Sequence, residues 1–123
     1  MLGIRHLALR VRDIRRSVEF YTRILGMRVD WAPDERNVYL TSGADNLALH
    51  QGDDLPAGGA LDHFGFLVST PEEVDEWALR LAAQGVPLLQ LPKSHGDGSR
   101  SIYFHDPDEN LIQLLFHPHI NGA

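Results

Sequence analysis

The chain has no cysteine. That absence removes disulfides, thiolate zinc sites and cysteine nucleophiles together, so any metal must be held by histidine and oxygen donors. No apolar run approaches the ~18 residues that a membrane-crossing helix needs. The opening Met1-Leu2-Gly3-Ile4-Arg5-His6 passes directly into strand-like sequence. It lacks the long apolar core and small-residue cleavage site of a secretory signal, and a cytoplasmic protein is expected. Positive charge is scarce as well: 11 Lys and Arg stand against 17 Asp and Glu, a formal net charge of -6. Nucleic acid and anionic membranes demand a basic surface, so neither is an expected partner. We read the charge as serving solubility.

What remains is an ordinary soluble composition, 43% hydrophobic and 23% charged over 123 residues. That length makes one domain with a real core and is too short for two independent ones, so residues 1–123 are expected to form a single domain. Within it a pattern is written twice: His6-Leu-Ala-Leu-Arg-Val-Arg-Asp is echoed by His63-Phe-Gly-Phe-Leu-Val-Ser-Thr. Leu7, Leu9 and Val11 alternate in the first segment and Phe64, Phe66 and Val68 in the second, as a strand with one buried face requires. Both histidines then belong to the opposite face.

Each strand leads into an amphipathic helix. Asp13 is positioned to cap the first, with Ile14, Val18, Tyr21 and Leu25 on one face and Gly26 as the stop. Thr70 caps the second, Pro71 takes its first position, Glu73 completes a capping box, Val74, Trp77 and Leu81 face inward, and Gly85 ends it. Shorter strands are expected around Met27 to Trp31, Val38 to Thr41 and Asn46 to Gln51, then around Leu88 to Leu91, Ser101 to His105 and Leu111 to Phe116. The order is βαβββ twice, an α+β chain with modules over about 1–52 and 60–119. The breaker-rich stretch from Gly52 to Gly59 reads as the link between them. The polar loop Ser94 to Arg100 lacks the Gly-Lys-Ser/Thr ending of a phosphate-cradling loop, and is read either as a rim over a site or as a plain hairpin connection.

Residues two apart in a strand share a face, which puts His6 with Ala8 and Arg10, and His63 with Gly65 and Leu67. In the last strand Gln113 is a polar group where burial is expected, and it needs partners. Leu47 and Leu49 fill the core, leaving Ala48 and His50 on the other face. A lone strand histidine is more often a hydrogen-bonded structural residue than a ligand. Two at equivalent positions of a duplicated motif shift the balance toward a divalent metal held by His6 and His63, of a kind imidazole suits: iron, manganese, nickel, cobalt or zinc.

These segments, together with Phe20-Tyr-Thr-Arg-Ile-Leu-Gly-Met27 and Tyr103-Phe-His-Asp-Pro-Asp-Glu-Asn-Leu-Ile-Gln-Leu114, resemble the vicinal oxygen chelate superfamily of glyoxalase I, bleomycin-resistance proteins and extradiol dioxygenases. The resemblance covers nearly the whole chain. It implies tandem modules forming a curved mixed-sheet half-barrel around a central cavity. It also implies metal ligands at His6, His63 and Gln113, where family members carry a carboxylate in place of the last. The fourth, acidic ligand of glyoxalase I falls on Ala48, which argues against that activity. His50 is then a candidate ligand or base, or a polar cavity wall. Tyr103 is placed to hydrogen-bond substrate, and the segment from Ser99 to Phe104 also resembles fosfomycin-resistance thiol transferases. Arg10 or Arg100 is placed to meet an anionic group, with an ion pair as the structural alternative for Arg10.

Two functions compete. The leading one is a metalloenzyme of lyase, isomerase, dioxygenase or transferase type, acting on a small substrate that chelates the metal through neighbouring oxygens, with Tyr103 or His50 moving protons. The rival is a metal-free sequestering protein of the bleomycin-resistance type, for which Gln113 speaks. A homodimer is expected in either case.

Overall fold

A computed structural model of the protein describes residues 1–55 and 61–120. The chain divides into two compact units, Met1–Ala57 and Gly58–Ala123. Half of the expected link, residues 56–59, lies outside the described residues, as does the expected start of the second module at residue 60.

The first unit runs β1 (His6–Val11), α1 (Ile14–Glu19), β2 (Arg28–Asp34), β3 (Asn37–Thr41) and β4 (Asn46–Gln51). Its sheet has the order β1-β4-β3-β2, with β1 parallel to β4 and the other pairs antiparallel. The second unit repeats this as β5 (Phe64–Leu67), α2 (Pro71–Ala83), β6 (Leu88–Ser94), β7 (Arg100–His105) and β8 (Leu111–Phe116), in the order β5-β8-β7-β6 with β5 parallel to β8. The α+β architecture of tandem βαβββ modules follows directly from the duplicated pattern. In β1 the alternation is realised as Leu9 and Val11 buried against exposed His6, Ala8 and Arg10.

β2 and β6 each run past their expected ends at Trp31 and Leu91. Pro33 and Pro92 lie in those extensions. Both strands are sheet edges with shifted register, where a missing N–H costs no ladder bond.

The first helix departs from the expected single α-helix. It continues from Glu19 into a π-helical turn over Phe20–Ile24, in which Leu25 N–H reaches back to the Phe20 carbonyl at 3.2 Å. Two consecutive aromatics, Phe20 and Tyr21, are both buried and meet edge to face at 5.2 Å. A widened turn brings neighbouring residues closer to one face, and the Thr22 hydroxyl, bonded to the Val18 carbonyl at 2.6 Å, supports it. Asp13 accepts from Arg16 N–H at 3.3 Å as the cap. Gln51, at the end of β4, accepts from Ile14 N–H at 3.0 Å and donates to the Arg12 carbonyl, stapling the helix start to the sheet.

In α2 the Thr70 hydroxyl oxygen accepts from Glu73 N–H at 3.3 Å, and its hydrogen goes to the Glu73 carboxylate at 3.4 Å. Val74, Ala78 and Leu81 are the buried row. Trp77, expected to face inward, is half-buried and carries the Arg80 guanidinium 4.8 Å from its ring centre. The helix contacts β6, β7 and β8. Ile102, Phe104, Ile112 and Leu114 are the buried side chains of β7 and β8 on the α2 side, set by strand alternation.

Candidate metal and substrate site

In the second unit strand register gathers one row of side chains. Gln90 of β6 pairs with Tyr103 of β7, Tyr103 with Gln113 of β8, and Gln113 with Gly65 of β5. Gly65 permits a close approach there: a Cβ would stand 3.3 Å from the Gln113 carbonyl oxygen and 3.1 Å from Leu115 Cδ2. His63 immediately precedes β5, two residues before Gly65 on the same alternation. Its ring meets that of Tyr103 edge-on, with centres 5.6 Å apart. Asp62, His63, Leu89, Gln90, Tyr103 and Leu111 line a recess of about 290 Å³.

His63 Nδ1 lies 2.6 Å from Asp62 Oδ2. A carboxylate accepts, so Nδ1 donates in this contact, and in the neutral ring the lone pair is then on Nε2. Metal-ligating histidines are oriented in this way by a carboxylate or carbonyl behind them.

In the first unit His6, Ala8 and Arg10 share a face with Asn46, Ala48 and His50 through the parallel register of β1 and β4. His6 Nδ1 donates to Asn46 Oδ1 at 2.8 Å, and His50 Nδ1 to Asn37 Oδ1 at 2.6 Å. Both histidines keep Nε2 available, as His63 does. Tyr39 stacks on Trp31 at 5.1 Å and meets His50 edge-on at 5.8 Å. Ala48 is fully buried and carries no donor. Arg10 is exposed.

Arg100, the alternative to Arg10 for meeting an anionic group, has partners within the second unit. Arg100 alternates with Ile102 and Phe104, on the side of β7 opposite Tyr103, where its Nε and Nη2 donate to Asp75 of α2 at 3.0 and 2.7 Å and its Nη1 to Ser94 Oγ at 2.9 Å. These bonds hold the Asp75 carboxyl below the usual carboxylate range. Arg100 clamps the helix to the sheet.

The loop before it is the plain hairpin connection: His95 N–H bonds to the Ser99 carbonyl at 2.8 Å and Gly98 turns with φ +89°. Asp97 accepts from the Ser99 hydroxyl at 2.6 Å and from its N–H at 2.9 Å, which lowers its pKa.

Among the described residues no three His, Asp or Glu side chains gather as a metal-binding cluster. Within the second unit the structure does bring together three expected site residues, His63, Tyr103 and Gln113. Sequence reasoning missed the acceptors behind the histidines. Asp62 was visible as the neighbour of His63, whereas Asn46 and Asn37 needed the sheet register. Gln90 was missed because nothing in a leucine-rich strand marks it.

Tandem βαβββ units, with His6 opening the first strand of one and His63 immediately preceding that of the other, define a glyoxalase-type fold. The chain belongs to the Glyoxalase/Bleomycin resistance protein/Dioxygenase superfamily, whose model matches residues 3–114. It is similar to the trivalent organoarsenical cleaving enzyme of Bacillus sp. (strain MD1), with 32% identity over 116 residues, covering 90% of this chain and 71% of that protein. It is similar also to the metallothiol transferase FosB of Bacillus licheniformis, with 30% identity over 118 residues, covering 93% of this chain and 75% of that one. Among solved structures, the fosfomycin resistance protein FosX of Listeria monocytogenes matches with a TM-score of 0.79 at 26% identity, covering 97% of this chain and 96% of that one.

Proposed function

We propose that this protein is a metal-dependent enzyme of the superfamily that acts in the cytoplasm on a small oxygenated substrate. His6, His63 and Gln113 are the residues that would hold the ion. The observation that carries this reading is the Asp62–His63 pair: a 2.6 Å hydrogen bond that holds the imidazole by Nδ1, in ring contact with Tyr103, which pairs with Gln113. His6 has the equivalent backing from Asn46. Two imidazoles with fixed tautomers and an amide carbonyl fit a divalent ion of borderline hardness, iron, manganese, nickel, cobalt or zinc. The set is neutral, so binding is weaker than with a carboxylate.

When bound, the ion supplies Lewis acidity toward two neighbouring substrate oxygens. The chain's own groups do the rest. Tyr103 gives or takes a proton at Oη. His50 is the second candidate, its Nε2 free while Asn37 holds Nδ1. Arg10, on the His6 face, meets an anionic group of the substrate. The relatives support transfer or bond cleavage on a small antibiotic-like or organoarsenical compound, and lyase, isomerase and dioxygenase types rest on the wider superfamily. Ala48 speaks against glyoxalase I chemistry.

The test is metal analysis of protein purified without an affinity tag and loaded with Mn, Ni or Zn. Gln113→Glu adds an anionic ligand and is expected to tighten binding by about tenfold, equivalent to about 1.4 kcal/mol. If wild type and variant both show no metal above background, the reading fails. The second reading, metal-free sequestration, is favoured by the neutral Gln113. It requires ligand binding by chelator-treated protein that Gln113→Glu leaves unchanged.

A further inference from the structure

We infer that Gln90 is a substrate-binding residue whose side-chain amide donates to an uncharged oxygen acceptor, such as a carbonyl, seated in the recess beside His63 and Tyr103. Gln90 Nε2 is buried, and it is the one buried side-chain nitrogen or oxygen among the described residues that has no hydrogen-bond partner. Such orphans are rare because the group loses its water on folding and receives nothing in exchange. Here Gln90 itself is one of the residues lining the recess, on the strand that pairs with Tyr103.

The lining decides the chemistry of the acceptor. Leu89 and Leu111 supply apolar walls, so a hydrogen bond formed between them is less screened than one in water. The one charged lining residue is Asp62, whose carboxylate accepts the hydrogen bond from His63 Nδ1, and neither Lys nor Arg is among the lining residues. A carboxylate or phosphonate entering here would meet a negative neighbour and no cation. An uncharged oxygen meets a donor amide, with the Tyr103 phenol beside it.

The inference rests on the proposed function only in taking the recess as the reacting end of the site, and its test is run on metal-stripped protein so that the two fail separately. The probes are benzamide and benzoate, a matched uncharged and anionic pair whose ring suits the leucine walls. Binding is followed through the Gln90 side-chain NH₂ signal in ¹⁵N-resolved NMR, assigned by its loss in Gln90→Met. Benzamide is expected to move that signal, and benzoate to bind at least tenfold more weakly. Gln90→Met keeps the volume and removes the orphan donor, so its thermal midpoint is expected to rise by a few degrees while benzamide affinity falls tenfold or more. Gln90→Glu, which puts an acceptor where the donor was, is expected to lose benzamide as well.

Three results would each overturn the inference. One is no benzamide binding to wild type, or binding no tighter than benzoate. Another is unchanged benzamide affinity in both variants. The third is a lowered midpoint in Gln90→Met, which would show the amide already satisfied in the free protein. Metal content plays no part in any of them.

Discussion

Tyr103 is where the proposed chemistry is most exposed to test. Its ring stands edge-on to His63, in the same row as Gln113 and Gln90. Tyr103→Phe is therefore expected to cut turnover by ~100-fold or more in the metal-loaded enzyme while leaving metal content unchanged. If the residue only lines a pocket, ligand affinity changes by about 0.5–1.5 kcal/mol, the worth of one hydrogen bond, and turnover stays. In that event His50 is left as the remaining candidate for proton transfer. Alternation alone assigned Tyr103 its face, because side-chain direction in a strand follows from position. The same rule applied to Arg100 would have separated it from Tyr103, an odd number of positions away. What no local rule supplied was its partner Asp75, on a helix distant in sequence.

The turn between β7 and β8 carries a strained residue. Glu109 has φ +66°, the left-handed region that disfavours a side chain, held there while the buried Asp106 accepts from Asp108 N–H, Asn110 N–H and the Asn110 side-chain amide. Glu109→Gly is expected to raise stability by about 1 kcal/mol, read as a higher urea midpoint at unchanged slope. A lower midpoint would mean that the turn gains more from the Glu109 side chain than it loses in strain.

The Asp75–Arg100 clamp makes a second prediction at this scale. Because folding lowers the Asp75 pKa, its contribution is fully present above the ordinary carboxylate range and is lost as pH falls through the lowered value. Below about pH 4 the wild-type urea midpoint is expected to fall more steeply than that of Asp75→Asn. Parallel curves would assign the acid sensitivity elsewhere. Helix caps and stops were legible in sequence, since each depends on residues within one turn. The π-helical turn and the extensions of β2 and β6 were not, because burial of Phe20 beside Tyr21 and tolerance of an edge proline depend on what packs alongside.

At the scale of the whole molecule, edge strands matter most. In its own sheet β2 has one neighbour, and so has β6, and they carry exposed Val29, Trp31, Leu89 and Leu91, the last 77% exposed. Unpaired edges bearing apolar side chains favour association, and a second copy of the chain is the expected partner. Sedimentation at micromolar concentration is expected to give twice the 13.8 kDa chain mass, and Leu91→Lys to shift the population toward monomer. A wild-type monomer would remove the dimer from the account.

The sequence by itself determined the duplicated βαβββ order, the buried faces of its strands and the histidines opposite them, because periodicity and capping are local and were written twice. Only the tertiary structure decided that Asn46 and Asp62 stand behind those histidines, that Arg100 belongs to α2, and that Gln90 keeps a buried donor without a partner. Those facts depend on which strand lies beside which, and pairing between distant segments is settled by packing and register rather than by any short stretch of chain.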